Sequence, residues 1–274
     1  MKTIKIIPFL LLLIVSGGRL LAQAEATQQL VVPLSEPGKP FTLEAKIMYG
    51  YIKVIGYEGK EVVIDIRTDS FNVKGGTDNN GMKKIGSTGG GLDFAAEEKD
   101  NTVRVNAGLS MKLLGITVKV PQTGGKLKLG TIEHGYVTVN NVSAEIEVSN
   151  VSGDITLSRI AGSVVASTIN GSVTVDFKTL DPKAPMAFSA LSGKIDVTFP
   201  ADTRANLKVK SDNGEIFTDF DLAVDKTEPK IDKTNEGHIQ RIRIEDWVLG
   251  KINGGGPEMM MKTMQGNIYI RKAK

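Results

Sequence analysis

Cysteine is absent from the 274-residue sequence, which excludes disulfide bonds, cysteine-based zinc sites and attachment of a lipid through cysteine. Histidine is almost absent: His134 and His238 stand more than a hundred residues apart, so no histidine pair has the spacing of metal ligands. No serine lies in a G-x-S-x-G elbow, the frame of the catalytic serine in α/β-hydrolases. We therefore predict no metal, no cofactor and no enzymatic activity.

Long apolar runs are missing as well. The longest covers residues 6–15 and contains Pro8, whereas a membrane-spanning helix needs roughly 20 apolar residues. Lys2 and Lys5 precede this run, and the small residues Ala22 and Ala24 follow it, a pattern typical of a cleaved export signal. We predict that residues 1–24 are a signal peptide. The mature chain would be exported to the periplasm, the outer surface or the medium, with no transmembrane segment of its own.

The mature chain has no excess of charge. The formal net charge of the whole sequence is +3, but Lys2, Lys5 and Arg19 all lie in the predicted signal, which has no acidic residue. Without them, 31 basic residues face 31 acidic ones. A neutral protein has no overall field that would attract nucleic acid, so we predict no nucleic-acid partner.

What the sequence does contain is a repeat. One copy runs from Ile146 to Leu157. Ile146 and Val148 alternate with polar residues, two polar residues separate Val148 from Val151, and Gly153 precedes the next alternating pair, Ile155 and Leu157. The clearest copies run through Ile146 to Leu157, Val164 to Val175, Met186 to Val197 and Met259 to Ile270. Alternation with a period of two predicts β-strands with one buried face.

Glycines mark the corners of this repeat, because glycine adopts backbone conformations that side chains forbid. The glycines predicted to form structural turns are Gly135, Gly153, Gly162, Gly171, Gly193, Gly214 and Gly266.

The two polar residues before each glycine interrupt the apolar alternation, as Ser149 and Asn150 do before Val151. If Val151 points inward, the strand must bend there. Units that start at 146, 164, 186 and 207 then predict an all-β solenoid with two short strands per unit of about 18–22 residues, whose successive units stack. An antiparallel β-meander or sandwich is the alternative, since Asn-Gly also favours hairpins. We predict one domain over 25–274, most regular over 127–218 and 251–270.

Several runs resemble a known family. They are Ile116 to Pro121, Gly153 to Leu157, Asn170 to Val175 and Gln265 to Ile270, and they are similar to the bacterial putative-adhesin family of domains of unknown function, related in style to the head domains of auto-transporter adhesins. The resemblance implies a secreted or envelope-associated β-repeat domain. It brings no catalytic residues with it.

Three residues are candidates for surface binding. Tyr136 is expected to point outward and Trp247 is the only tryptophan. Asp212 takes the place at which other units carry Val151, Ile169, Leu191 or Met264, and we expect its carboxylate to cap the turn at Gly214. The predicted function is a structural or adhesive role at the cell envelope with a protein or glycan partner. The alternatives are a glycan-binding or glycan-cleaving solenoid and a partner in envelope signalling.

Overall fold

The computed structural model describes residues 28–69, 94–107, 113–225, 230–236, 239–245 and 247–274. The predicted signal peptide, 1–24, lies outside these residues. All regular structure within them is β, and no helix there is long and apolar enough to cross a membrane. The strands are β1 (Gln28–Pro33), β2 (Phe41–Tyr57), β3 (Glu61–Asp69), β4 (Phe94–Lys99), β5 (Thr102–Ala107), β6 (Leu113–Pro121), β7 (Thr123–Glu133), β8 (Val137–Asn140), β9 (Ser143–Ser152), β10 (Ile155–Asn170), β11 (Val173–Leu180), β12 (Met186–Ser192), β13 (Ile195–Phe199), β14 (Ala205–Asn213), β15 (Ile216–Thr218), β16 (Leu222–Asp225), β17 (Lys230–Glu236), β18 (Ile239–Glu245), β19 (Val248–Ile252), β20 (Glu258–Gln265) and β21 (Ile268–Lys272).

Each repeat unit forms one rung of a stack. The chain lays down a strand in a first layer, turns a corner, and lays down a strand in a second layer. Neighbouring rungs pair in parallel in both layers, as β9 does with β10 and β11 with β13. In spatial order the rungs span residues 102–121, 41–57, 123–140, 143–160, 161–180, 186–199, 258–272 and 205–218.

The all-β prediction is confirmed, and parallel stacking of rungs is solenoid-like. Antiparallel pairing is confined to the ends of the stack and to a separate hairpin. At one end β4 covers β5, and β3 with β1 covers β6. At the other end β19 covers β14 and β16 covers β19. The hairpin is β17 with β18.

The predicted order of the units is wrong between the units that start at 186 and 207. Leu207 does not stack on Met186 of the preceding unit; both pair with Met259, because the 258–272 rung lies between them. At the opposite end, the 41–57 rung lies between the rungs 102–121 and 123–140. Each end of the stack is therefore built in the same way. A rung from near one end of the described chain, 41–57 or 258–272, is inserted next to the outermost rung.

The core is made of registered apolar columns. Ile155, Val173, Ile195 and Ile268 are paired in sequence across four rungs of the second layer, and each is fully buried. Each lies two residues after a corner glycine, as the repeat predicts.

The predicted bend before the corner is absent, because alternation continues without a slip. Ile146, Val148 and Asn150 point inward and are 1–2% exposed, whereas Val151 points outward and is 36% exposed. What changes before the corner is polarity: in four rungs the last inward residue is a buried polar one, and the residue after it is an exposed apolar one. These buried polar residues are Thr131, Asn150, Thr168 and Thr263. The assignment of Val151 and its equivalents to the buried face was wrong.

Candidate functional site

The first corner of the rungs is a column of glycines. A Cβ on Gly153 would collide with the carbonyl oxygen of Gly135, one on Gly171 with that of Gly153, and one on Gly193 with that of Gly171. The same relation continues to Gly266 and Gly214 at one end and from Gly135 to Gly50 at the other. Close approach of neighbouring backbones therefore requires glycine at every one of these corners.

Gly162 belongs to the opposite corner. It lies inside β10, where that strand passes from the second layer to the first, and a Cβ there would meet the carbonyl oxygen of Ala144. Gly135 and Gly153 therefore lie at the first corner, and Ala144 and Gly162 lie at the opposite one. Residues nine apart along the chain alternate between the two corners.

A buried polar ladder supports the glycine corner from inside. Asn150 donates from Nδ2 to the carbonyls of Gly135 (3.1 Å) and Gly153 (2.9 Å), and its Oδ1 accepts from Thr131 Oγ1 at 2.7 Å. Equivalent hydroxyls donate to corner carbonyls in other rungs: Thr168 to Gly153, Thr263 to Gly193 and Ser211 to Gly266. Since a buried polar group must be paired, this ladder explains the polar residues three positions before the glycine.

Next to the ladder, on the outside, runs a line of exposed apolar side chains that we call the apolar ridge. Its members follow the registered inward residues by one position, so they stack rung upon rung. Each exposes 36–48% of its surface. The ridge consists of Met48, Ile132, Val151, Ile169, Leu191 and Met264. Met264, an equivalent of Val151, was assigned with it to the buried face; on β20 it is exposed, whereas Met259 and Met261 are buried.

Asp212 stands at the end of this ridge, one rung beyond Met264. Its carboxylate oxygen lies 3.2 Å from Lys210 Nζ, and among the described residues it accepts no hydrogen bond from its own turn. The turn amide of Glu215 donates instead to Asn267 of the neighbouring rung (3.0 Å). Asp212 is therefore the polar last residue of the exposed ridge. Its carboxylate does not form the predicted cap on the turn at Gly214.

Tyr136 points outward from the second layer, as predicted, and is 47% exposed. Its ring stacks on that of Tyr51 at 4.9 Å between centroids, with the planes 1° apart. A second stacked pair, Phe217 and Tyr269 at 5.2 Å, lies toward the other end of the same layer. Arg271 lies 5.0 Å from the centroid of the Tyr269 ring. The second layer thus presents two aromatic platforms on its outer surface.

Trp247 is half-buried beside β14, where Lys208 Nζ lies 4.7 Å from the centroid of its ring. Asp212 belongs to the same strand, so these two candidates lie at the same end of the stack. Tyr136 lies five rungs away from Asp212, about 24 Å at the usual strand spacing. The three predicted binding residues therefore do not form one site.

Carboxylates on the outer faces bond mainly between rungs. Glu44 contacts Lys128 Nζ and Arg104 Nε, each at 3.0 Å, and the hydrogen bond from Lys128, followed by that from Arg104, holds the pKa of the Glu44 carboxyl below its ordinary value. Asp196 binds Arg271 through both carboxylate oxygens, and that hydrogen bond raises the pKa of the Arg271 guanidinium.

Two further carboxylates bond to backbone rather than to side chains. Asp154 accepts from the amide of Ser172 (2.7 Å) and Asp176 from that of Arg159 (3.4 Å). These acids hold adjacent rungs together, which gives them a structural role. Among the described residues no group of three or more His, Asp or Glu side chains is placed to hold a metal ion.

Comparison with known proteins finds a family model that matches part of the chain. Residues 116–246 match the model of the Toastrack family, DUF4097, which confirms the resemblance to a family of domains of unknown function. No curated protein matches the chain.

Two solved structures are similar over most of the chain. One is a putative cell adhesion protein from Clostridium sporogenes, with 14% identity, a TM-score of 0.42, and coverage of 90% of this chain and 100% of that one. The other is a putative adhesin from Bacteroides fragilis, with 11% identity, a TM-score of 0.26, and coverage of 91% and 98%. Similarities this distant do not transfer a function.

Proposed function

We propose that this protein, whose residues 116–246 match the model of the Toastrack family, DUF4097, is an exported, non-catalytic β-repeat protein. It would form a single domain over 25–274 and act at the cell envelope in a structural or adhesive role. The observation that carries the proposal is the pair of aromatic platforms on the outer second layer, Tyr51 with Tyr136 and Phe217 with Tyr269. Exposed aromatic rings on a rigid scaffold suit recognition of an extended partner.

The distance between the platforms favours a long partner. Tyr136 and Tyr269 lie four rungs apart, about 19 Å at the usual strand spacing. Thr138 on the rung of Tyr136 is in register with Thr156 and Thr174 on the next two rungs, and Asp196 takes this position on the third. Hydroxyls between two aromatic surfaces are able to hydrogen-bond a polar chain such as a glycan, so an envelope polysaccharide is the partner class we test first.

The glycan-cleaving alternative has less support. Cleavage needs a pair of carboxylates about 5–10 Å apart that are free to act on the sugar. The outer acids Asp154, Asp176 and Asp196 are already bonded to neighbouring rungs, which favours binding over hydrolysis.

The binding experiment uses the mature full-length protein and envelope fractions of the cells that produce it: isolated polysaccharide, sacculi and membranes. We expect co-sedimentation with the polysaccharide, without release of reducing ends. Tyr136→Ala combined with Phe217→Ala should weaken binding at least tenfold, whereas Thr42→Ala on the other layer serves as the control. Absence of binding to every fraction, or equal binding by the aromatic double variant, would overturn the aromatic assignment. Release of reducing ends would establish the cleaving alternative.

Export is tested separately, by fractionation and N-terminal sequencing of the native protein. We expect the product in the periplasmic or secreted fraction, beginning between residues 23 and 25. A product in the cytoplasm that retains Lys2 would contradict export.

A further inference from the structure

The apolar ridge is the largest regular feature of the outer surface that the proposed function leaves unexplained. Six consecutive rungs carry an exposed apolar side chain at the same position. At the usual strand spacing they form a straight line about 24 Å long. Scattered exposed apolar residues need no explanation, but a contiguous line of them marks a contact surface.

A parallel furrow runs beside the ridge, two residues earlier on each strand. In the four central rungs it is lined by Gly130, Ser149, Ser167 and Ser189, which are registered with one another. Lysines replace these small residues in the end rungs: Lys46 at one end, Lys262 and Lys210 at the other. The first layer therefore presents a ridge of large apolar side chains alongside a furrow of small ones.

We propose that this face binds a second copy of the same chain, forming a two-fold symmetric dimer. A two-fold axis that runs parallel to the ridge, between ridge and furrow, sets the ridge of each subunit into the furrow of the other on the same rung. Ile169 then lies over Ser167 of the partner subunit, and Leu191 over Ser189 of the partner subunit. Such a self-complementary surface is what an isologous interface requires.

The charges at the ends select this direction. The ridge carries a carboxylate only at Asp212, and the furrow on that rung carries Lys210. In the parallel dimer each Asp212 faces Lys210 of the partner subunit, so opposite charges meet. An antiparallel pairing would bring Lys46 of one subunit near Lys210 and Lys262 of the partner subunit, and these like charges repel.

The size of the face fits a reversible dimer. Seven rungs by two outward positions, ridge and furrow, cover roughly 450 Å² per subunit at standard strand spacings, well below the about 800 Å² per partner of a typical stable interface and in the range of weak, transient contacts. We therefore expect association in the micromolar range. This dimer face lies on the first layer, whereas the proposed partner-binding platforms lie on the second, so the two proposals stand or fall independently.

Sedimentation velocity of the mature protein from about 1 to 200 μM tests the dimer. Wild type should shift from monomer to dimer across this range. Ile169→Lys, at the centre of the ridge, should weaken association at least tenfold. Val165→Lys is the matched control, because Val165 is equally exposed on the same strand but lies outside the ridge and furrow, and it should associate like wild type.

A charge exchange tests the direction. Lys210→Glu should weaken the dimer at least fivefold, and adding Asp212→Lys should restore it to within about twofold of wild type. Circular dichroism melts identify any variant that fails to fold. A wild type that stays monomeric at 200 μM, or an Ile169→Lys variant that folds and still dimerises like wild type, would overturn the proposal. Failure of the second charge to restore association would overturn the parallel arrangement.

Discussion

The carbonyl oxygen of Gly153 occupies the position that a Cβ on Gly171 would need. Both residues are corner glycines of adjacent rungs, and the amide of Gly171 donates to the carbonyl of Ser192 on the rung beyond (2.9 Å). The corner is thus held by backbone hydrogen bonds at a separation that leaves no room for any side chain.

This contact predicts that Gly171→Ala is strongly destabilising. Gly171 has a φ of 152° and a blocked Cβ position, whereas Gly38 has a φ of 85° and nothing within 4 Å of its Cβ position. Gly38→Ala should cost about 1 kcal/mol from backbone strain alone. Gly171→Ala should cost at least about 2 kcal/mol more, because packed backbone must move. Urea unfolding measures both, and equal costs would contradict the steric column.

The unbroken alternation before the corner predicts opposite outcomes for two adjacent residues. Asn150→Val would leave the carbonyls of Gly135 and Gly153 and the hydroxyl of Thr131 without their partner. We expect a cost of about 2–4 kcal/mol. Val151→Asn, on the exposed ridge, should change the free energy of unfolding by less than about 0.5 kcal/mol.

Both variants of this pair are measured at 1 μM, below the expected range of dimer formation. If Val151→Asn were the more damaging of the two, the strand would bend as the sequence pattern first indicated. The polar ladder would then have no structural role.

The pKa of Glu44 predicts a pH dependence. Because Lys128 and Arg104 lower it in the folded protein, the carboxylate stabilises the fold above its unfolded pKa, near 4.5, and this contribution is lost as the pH falls through the lower folded value. The difference in unfolding free energy between wild type and Glu44→Gln should be constant from pH 7 to about 5.5 and shrink toward pH 3. It should also shrink in 1 M salt, since the side chain is 31% exposed. A difference independent of pH would contradict the assignment.

Local features of the fold were predictable from the sequence because they depend on short-range rules. Alternation placed Val173 inward, and the backbone conformations open to glycine placed Gly171 at a corner. The buried role of Asn150 was missed because a polar residue in an apolar pattern resembles a break. Its signal was nevertheless present: Asn150, Thr168, Ser211 and Thr263 all stand three residues before a corner glycine.

The order of the rungs could not be predicted for a different reason. Every rung carries nearly the same pattern, so Met259 is as good a neighbour for Met186 as Leu207 is. Stacking between self-similar units depends on the connections and end strands, such as β19 and β16, and these are long-range features that no local pattern contains. The aromatic platforms were missed in part for the same reason, because Phe217 meets Tyr269 only after the 258–272 rung is inserted.

The spatial order of the rungs underlies the ridge, the platforms and the dimer face, and disulfide trapping tests it most directly, since the chain has no cysteine of its own. Ala187 pairs with Met260, and Met260 with Lys208, on the outer side of the first layer. Adjacent rungs place Cα atoms about 4.8 Å apart, within disulfide reach, whereas rungs two apart are about 9.6 Å away and beyond it. Ala187→Cys with Met260→Cys, and Met260→Cys with Lys208→Cys, should oxidise to intramolecular disulfides seen by non-reducing mass spectrometry, while Ala187→Cys with Lys208→Cys should not. If the 187–208 pair formed a disulfide efficiently and neither pair containing residue 260 did, the rungs would stack in sequence order. That result would contradict this account.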